Sequence, residues 1–202
     1  MMRDLERIGK FWQWFVENQG EVASLPKRQM EIYPQIIEAI HGIDPGLVCD
    51  LELGDDTQKK TVVVSADGDK VLFPLVMRVV GEAPLDKLPG WRVIAFRQPR
   101  GSHFNLQFMD YFISSDQVMV RYKKNKRGKL DVIIFIKDLD STLPGIEAVG
   151  MVLLDNTIGE YYTETRIGKI TVKSYIQGKV QWDDWIPLIW LPRVMGELYG
   201  KP

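Results

Sequence analysis

Three carboxylates lie at the end of one predicted helix and just beyond it: Asp155, Glu160 and Glu164. Carboxylate oxygens are ligands for Mg²⁺ and Ca²⁺, and paired carboxylates can divide the roles of general acid and general base. The same side chains are also typical of a solvated helix end, or of ion pairs with Arg97 or Arg166. The three are therefore candidate catalytic and metal-binding residues of a metal-assisted hydrolase, beside a purely structural interpretation.

A second catalytic candidate is His103, which lies in a polar segment with Arg100 and Ser102. Histidine titrates near neutral pH and can act as a general base. The adjacent serine is not a triad pattern, because a nucleophile and its base normally meet through the fold, and no Gly-x-Ser-x-Gly elbow is present. The alternative for His103 is a plain polar loop between strands.

A basic stretch around a predicted hairpin loop is the pattern that points to nucleic acid. Its six cationic side chains are Arg121, Lys123, Lys124, Lys126, Arg127 and Lys129. They could bind phosphates, and the nearby Tyr111, Phe112 and Tyr122 offer stacking faces. A charged hairpin tip is also a common solvated turn that discourages edge-to-edge aggregation. The net charge of −1 argues against nucleic acid as the main partner.

An aromatic tail suggests a contact surface. Residues 181–192 include Trp182, Trp185 and Trp190, and two prolines there argue against a continuous helix. Such a tail can complete the hydrophobic core by packing across a sheet. The alternative is a docking surface for a protein partner or for a second copy of the chain, since aromatic residues are enriched at interface cores. The three tryptophans are therefore the candidate partner-binding residues.

Composition limits what the chain can bind. Cys49 is the only cysteine and His41 and His103 are the only histidines, so neither a disulfide within the chain nor a cysteine-based metal cage is expected. Walker and dinucleotide-binding glycine patterns are absent, and no cofactor is predicted. The charged first residues do not resemble a signal peptide, and no uncharged apolar run approaches the roughly 20 residues that span a bilayer. We expect a reduced, cytoplasmic protein without membrane contact.

The elements that must position these residues follow a repeated order of strand, strand, helix and strand. In the first copy the apolar patterns predict strands at 47–53 and 60–65, a helix at 70–83 and a strand at 91–97. In the second copy they predict strands at 111–122 and 130–137, a helix at 145–160 and a strand at 162–176, with a bulge at Gly168. A duplicated unit of this kind suggests one large sheet with helices on one face.

Two amphipathic helices are predicted before the first copy. Gly20 is the expected end of the first helix, and Pro34 indicates that the second is kinked or begins later than Ser24 suggests. The predicted fold class is α+β: a mostly antiparallel sheet from two β-β-α-β units, with two N-terminal helices. A single domain is expected, made of a helical segment 1–45, a first unit 46–99, a second unit 104–176 and the aromatic tail 180–202.

Four stretches carry a resemblance to a known family. They are Phe11-Trp12-Gln13-Trp14-Phe15, Ser65-Ala66-Asp67-Gly68, Pro89-Gly90-Trp91-Arg92-Val93-Ile94-Ala95-Phe96-Arg97, and Leu153-Leu154-Asp155-Asn156-Thr157-Ile158-Gly159-Glu160-Tyr161 with Glu164-Thr165-Arg166-Ile167-Gly168. Together, over roughly residues 11–199, the chain resembles a family of uncharacterised, conserved hypothetical bacterial proteins. The resemblance implies a bacterial cytoplasmic protein without an assigned activity, and it implies no catalytic residue.

The sequence favours a small non-catalytic protein that binds or regulates a protein partner, or a second copy of itself, through its sheet or its aromatic tail. A metal-assisted hydrolase and a weak nucleic-acid binder are the alternatives. A concave pocket in which charged groups converge would favour an enzyme, whereas an exposed apolar patch would favour a binding module.

Overall fold

The computed structural model describes residues 2–53, 59–101, 103–140, 142–175 and 184–200. Two compact units divide the chain, Met1–Phe96 and Arg97–Pro202. The predicted α+β class is confirmed, and most strand pairs are antiparallel. Within the described ranges no helix combines the length and the apolar composition needed to cross a bilayer.

The first unit consists of helices at its start and a small mixed sheet. Its elements are α1 Met2–Ala23, α2 Leu25–His41, β1 Val48–Glu52, β2 Lys60–Ser65, α3 Phe73–Gly81 and β3 Trp91–Ala95. The sheet order is β1-β2-β3. The first pair of strands is antiparallel and the second, joined across α3, is parallel.

Helix α1 covers this sheet with the apolar stripe that its sequence predicts. Ile8, Phe11, Trp12 and Phe15 are each 2% exposed or less. The indole Nε1 of Trp12 donates a hydrogen bond of 2.8 Å to a backbone carbonyl of α3. Phe15 packs edge-to-face on Trp91 at the start of β3, with 5.1 Å between ring centroids. One helix therefore ties together the sheet and the crossover helix of the first unit.

The predicted end of the first helix at Gly20 is wrong, and so is one of the two alternatives for the second helix, a start later than Ser24 suggests. Helix α1 continues past Gly20 to Ala23, because the fully buried Val22 outweighs the roughly 1 kcal/mol that a helical glycine costs. Helix α2 begins at Leu25, directly after Ser24, and continues through Pro34. The burial of apolar side chains on both sides of this proline maintains the helix despite the missing backbone donor.

The second unit contains a hairpin and a larger sheet covered by helices. Its elements are β4 Asn105–Phe108, β5 Tyr111–Ser114, β6 Val118–Lys124, β7 Leu130–Lys137, α4 Ile146–Ile158, α5 Glu160–Arg166, β8 Ile167–Tyr175, β9 Ile186–Pro187 and α6 Leu191–Tyr199. Strands β4 and β5 pair only with each other in the described residues. The four-stranded sheet has the order β8-β7-β6-β9.

The repeated order of elements is confirmed. Strands β1, β2 and β3 with α3 correspond to β6, β7 and β8 with α4, and in both copies an antiparallel pair is followed by a parallel crossover. The expectation of one large sheet is wrong, because the described strands lie in three separate sheets. Strands β4 and β5, which precede β6 in the chain, form a separate hairpin among the described residues.

The second copy departs from the predicted boundaries at two places. A 3₁₀ turn at Ser115–Gln117 divides the predicted strand 111–122 into β5 and β6. The predicted strand 162–176 begins as helix α5, and β8 starts only at Ile167. Thr163 and Thr165 are β-branched, yet each donates its hydroxyl to the carbonyl four residues earlier, at 3.0 and 2.5 Å. These bonds satisfy the threonines inside a helix.

Helix α4 packs closely against β8 at Gly150, where there is little room for a side chain. A Cβ at that position would lie 2.9 Å from Val172 Cγ2 and 3.0 Å from Ile170 Cγ2. Both neighbours are β-branched side chains of the packed core, so they have little freedom to move away. At this position the helix therefore packs on the sheet through its backbone, while neighbouring side chains such as Val149 and Leu153 join the core.

We expect Gly150→Ala to lower the free energy of unfolding by about 1–3 kcal/mol, because the added methyl overpacks this contact. Urea denaturation followed by tryptophan fluorescence would measure the change. The matched control is Gly196→Ala in α6, where an added Cβ meets no atom within 4 Å. That substitution should leave stability unchanged or raise it by up to about 1 kcal/mol through helix propensity. A loss of equal size in both variants would contradict the packing argument.

Candidate functional site

A groove crosses the outer face of the four-stranded sheet. Its volume is about 830 Å³, and it is bordered on one side by the segment that leads into β9. The residues that line it include Arg121, Lys123, Ile133, Lys169, Thr171 and Trp185. Strands β6, β7 and β8 thus contribute to a single surface.

Strand register explains why these side chains share one face. Arg121 lies opposite Ile133, which lies opposite Thr171, so the three form one row across the sheet. Residues one position away, such as Val120 and Ile134, are fully buried in the core beneath the helices. Because side chains alternate along a strand, burial of one set places the other set on the outer face.

A bulge in β8 fixes the position of Lys169. The strand carries an extra residue between Ile167 and Ile170 relative to β7, as predicted at Gly168. Asp131 Oδ1 accepts hydrogen bonds of 2.8 Å from the Lys169 backbone N–H and from Asn125 Nδ2. Both bonds lower the pKa of Asp131, and the bond from the Lys169 backbone has the larger effect. A side chain at Gly168 would collide with the Asp131 and Asn125 side chains, so the bulge requires glycine.

Stacked aromatic rings form the opposite border of the groove. The Trp185 ring stacks on Phe135 of β7, with 3.5 Å between centroids and an interplanar angle of 18°. The next residue, Ile186, pairs with Val120 of β6. Asp184 Oδ2 is 4.0 Å from Arg121 NH2, and both side chains are more than half exposed. An exposed ion pair of this kind contributes little to stability, so Arg121 can exchange it for a contact with a ligand.

The cationic residues of the predicted basic stretch make different contacts in the structure. Lys124 lies 5.5 Å from the Tyr199 ring centroid, and Lys129 Nζ donates to two carbonyls at the end of α5, at 3.1 and 3.4 Å. These two lysines stabilise the second unit. Lys126 and Arg127 are exposed at the hairpin tip. Arg121 and Lys123, by contrast, belong to the groove.

The aromatic tail is likewise divided. Trp185 stacks on the sheet, whereas Trp190 is 58% exposed. Trp182 lies outside the described residues. Leu188 and Leu191, which flank the exposed tryptophan, are completely buried in the second core. The described part of the tail therefore completes the core and also presents one free indole.

The predicted carboxylates contact the start of the second unit. Glu160 is 1% exposed, and its Oε2 accepts a 3.0 Å hydrogen bond from the Arg97 backbone N–H. The Glu160 N–H donates in return to the Arg97 carbonyl oxygen at 3.0 Å. Arg100 N–H donates to the Asn156 carbonyl oxygen at 2.9 Å. The junction between α4 and α5 thus holds the segment that enters this unit.

Asp155 is the carboxylate with the least satisfied environment. Its Oδ1 is buried and has no hydrogen-bond partner. The pKa of Asp155 is raised to about 6, mainly by burial and also by the neighbouring Glu160 and Glu164, while the Thr163 hydroxyl and Arg97 oppose the shift. The side chain therefore resists ionisation in the folded protein.

These carboxylates do not assemble a ligand set. Among the described residues, no group of three or more His, Cys, Asp or Glu side chains is arranged to hold a metal ion. A separate cavity of about 220 Å³ at the α5–α6 contact is lined by Ile158, Tyr161 and Met195, and its described lining does not include Asp155. Asp155, the carboxyl with the raised pKa, is therefore not among the described residues that line this cavity.

His103 and Cys49 are the remaining candidates for reactive side chains. His103 Nδ1 lies 2.8 Å from Asp116 Oδ1, and both side chains are more than half exposed. Cys49 is buried in β1, and burial raises the pKa of the thiol to about 12. The histidine pair lies on an open surface and the thiol stays protonated, so neither arrangement resembles an enclosed active site.

Sequence reasoning missed the part of the groove that β8 contributes. Lys169 and Thr171 are far from Arg121 in sequence and meet it only through the parallel pairing of β7 with β8. The available signal was the alternation along β8, in which polar side chains at 169, 171 and 173 oppose apolar ones at 170 and 172.

We expect Asp155→Asn to stabilise the protein at neutral pH. A carboxyl whose pKa is about 6 when folded and 3.8 when unfolded binds more protons in the folded state, so the unfolding free energy falls as pH rises from about 4 to 6. The loss is complete above pH 6 and amounts to at most about 3 kcal/mol. The amide of the variant stays neutral. Its free energy of unfolding should therefore exceed that of the wild type by about 1–3 kcal/mol at pH 7.5 and by little at pH 4.

Urea denaturation at several pH values would measure this difference. Glu147→Gln is the control, since it removes one charge from an exposed position of the same helix. Its profile should run parallel to that of the wild type. If the difference between Asp155→Asn and the wild type does not change between pH 4 and 7.5, burial does not raise the pKa of this carboxyl.

Comparisons with known proteins identify no relative: no family model, curated protein or solved structure matches this chain. The resemblance to uncharacterised bacterial proteins therefore stays a prediction.

Proposed function

We propose that this chain is a non-catalytic protein-binding module and that it binds its partner through the outer face of the four-stranded sheet. The observation that carries the proposal is the groove of about 830 Å³, in which exposed cations border an apolar centre. One face of this sheet is already covered by helices and forms the core. The other face thus offers a docking surface on a rigid framework.

The composition of the outer face supports docking more than simple hydration. Ile133 is only partly buried at the centre of the face, where a solvated sheet normally carries a polar side chain. Trp185 and Phe135 add an aromatic border. An apolar centre with a charged rim is the arrangement typical of protein interfaces.

The alternatives receive less support from the described residues. A metal-assisted hydrolase would use the Asp155, Glu160 and Glu164 carboxylates, which form no ligand set. A homodimer built on this face would bring together two copies of the same surface, which carries the Arg121 and Lys123 rim, because a two-fold interface uses the same patch on both subunits. Like charges at an interface are repulsive. A different protein is therefore the preferred partner.

Site-specific photo-crosslinking tests this function. We expect a photoreactive phenylalanine analogue at Thr171, within the groove, to give a discrete adduct with one protein in cells of the source organism. The matched control carries the same analogue at Phe112, which is 71% exposed and lies outside the groove. That position should give no such adduct.

Two results would contradict the proposal. One is the absence of an adduct from Thr171 while the protein is folded and present at normal levels. The other is the same adduct from both positions, since this would show that contact does not depend on the groove.

A further inference from the structure

The groove contains cations at a regular spacing. Arg121 and Lys123 are alternate residues of β6, so their Cα atoms are about 7 Å apart along the strand. Lys169 lies two strands away, a distance of about 10 Å across the sheet. An extended ligand along β6 would therefore meet two cations separated by one strand repeat.

The charge of this face is opposite in sign to that of the whole chain. Alternation along the described strands places five cations on it: Arg121, Lys123, Lys137, Lys169 and Lys173. The described carboxylates on this face are Asp131 and Asp184, and Asp131 is engaged by two hydrogen bonds within the bulge. The net charge of the full sequence is −1. The local excess of positive charge favours an acidic ligand.

We infer that the groove binds an extended acidic peptide segment of a partner protein, with carboxylates at alternate positions that meet Arg121 and Lys123. This inference rests on the protein-binding function proposed above. Side chains at positions i and i+2 of an extended peptide point to the same side and are about 7 Å apart, which matches the spacing on β6. A guanidinium and an ammonium are suitable partners for carboxylates.

A peptide fits the groove better than a single-stranded nucleic acid does. Binding of single strands relies on aromatic rings on which successive bases stack. In the described lining of this groove the aromatic side chains are Tyr122 and Trp185, and the Trp185 ring is already stacked on Phe135, so the lining provides no row of successive rings. Binding of peptide carboxylates needs only cationic side chains, and Arg121 and Lys123 are exposed on the rim of the groove.

Fluorescence anisotropy with the full chain tests the inference. The probes are two labelled twelve-residue peptides of identical composition. One has Glu and Ser in strict alternation, and the other repeats Glu-Glu-Ser-Ser, so that no two of its Glu residues are two positions apart. A labelled oligothymidylate with the same number of charges is the third probe. We expect the alternating peptide to bind at least about fivefold more tightly than the Glu-Glu-Ser-Ser peptide, and its binding to weaken at high salt.

Two double variants with the same change in charge separate the groove from its surroundings. Arg121→Glu with Lys123→Glu reverses the groove cations, and Lys126→Glu with Arg127→Glu reverses the same residue types at the exposed hairpin tip. The groove variant should lose at least about tenfold in affinity for the alternating peptide, and the tip variant should stay within about twofold of the wild type. Circular dichroism would confirm that both variants fold.

Three results would overturn the inference. Equal affinity for the two peptides would show that spacing is not recognised. Equal losses in the two variants would show that only overall charge matters, and tighter binding of the oligothymidylate would assign the groove to nucleic acid. If the acidic peptides do not bind while Thr171 still crosslinks to one protein, this inference fails and the proposed function stands.

Discussion

The register of β7 between its two neighbours is the constraint on which the second unit depends. This strand pairs antiparallel with β6 and parallel with β8, and its residues alternate between the core and the groove. A slip of one residue would move Ile134 out of the core and Ile133 into it, because side chains in a strand have a period of two. The same pairing therefore determines both the hydrophobic core and the position of the groove cations.

Polar contacts at the ends of this unit reinforce the register. Asp131 holds the bulge of β8 through Lys169 and Asn125, and Lys129 satisfies carbonyls where α5 passes into β8. Residues of the basic hairpin thus serve two purposes within a few positions. Some stabilise the turn and the helix end, and others are presented on the outer face. Charge in the sequence alone does not separate these roles.

The sequence predicted those features that depend on local patterns. The order of elements in both copies followed from apolar alternation and from helical stripes such as Ile8, Phe11 and Phe15, and Gly168 marked the bulge correctly. Helix α5 was missed because Thr163 and Thr165 are β-branched and favour strands, whereas in the structure each hydroxyl donates to the backbone carbonyl four residues earlier. The groove was missed because it joins residues of β6 and β8, which meet only after the crossover through α4 and α5 has folded.

Chain order around this groove has a consequence for when binding ability arises. The β6–β7 hairpin is a local contact, but β8 reaches it only through a helical crossover, and the Trp185 border follows β8 in the chain. Loop-closure entropy makes such distant pairings slower than local ones. We therefore expect the hairpin to form before the complete groove, so that both walls are available to the proposed acidic segment only when the unit is nearly native. The proposed recognition would then be coupled to completed folding.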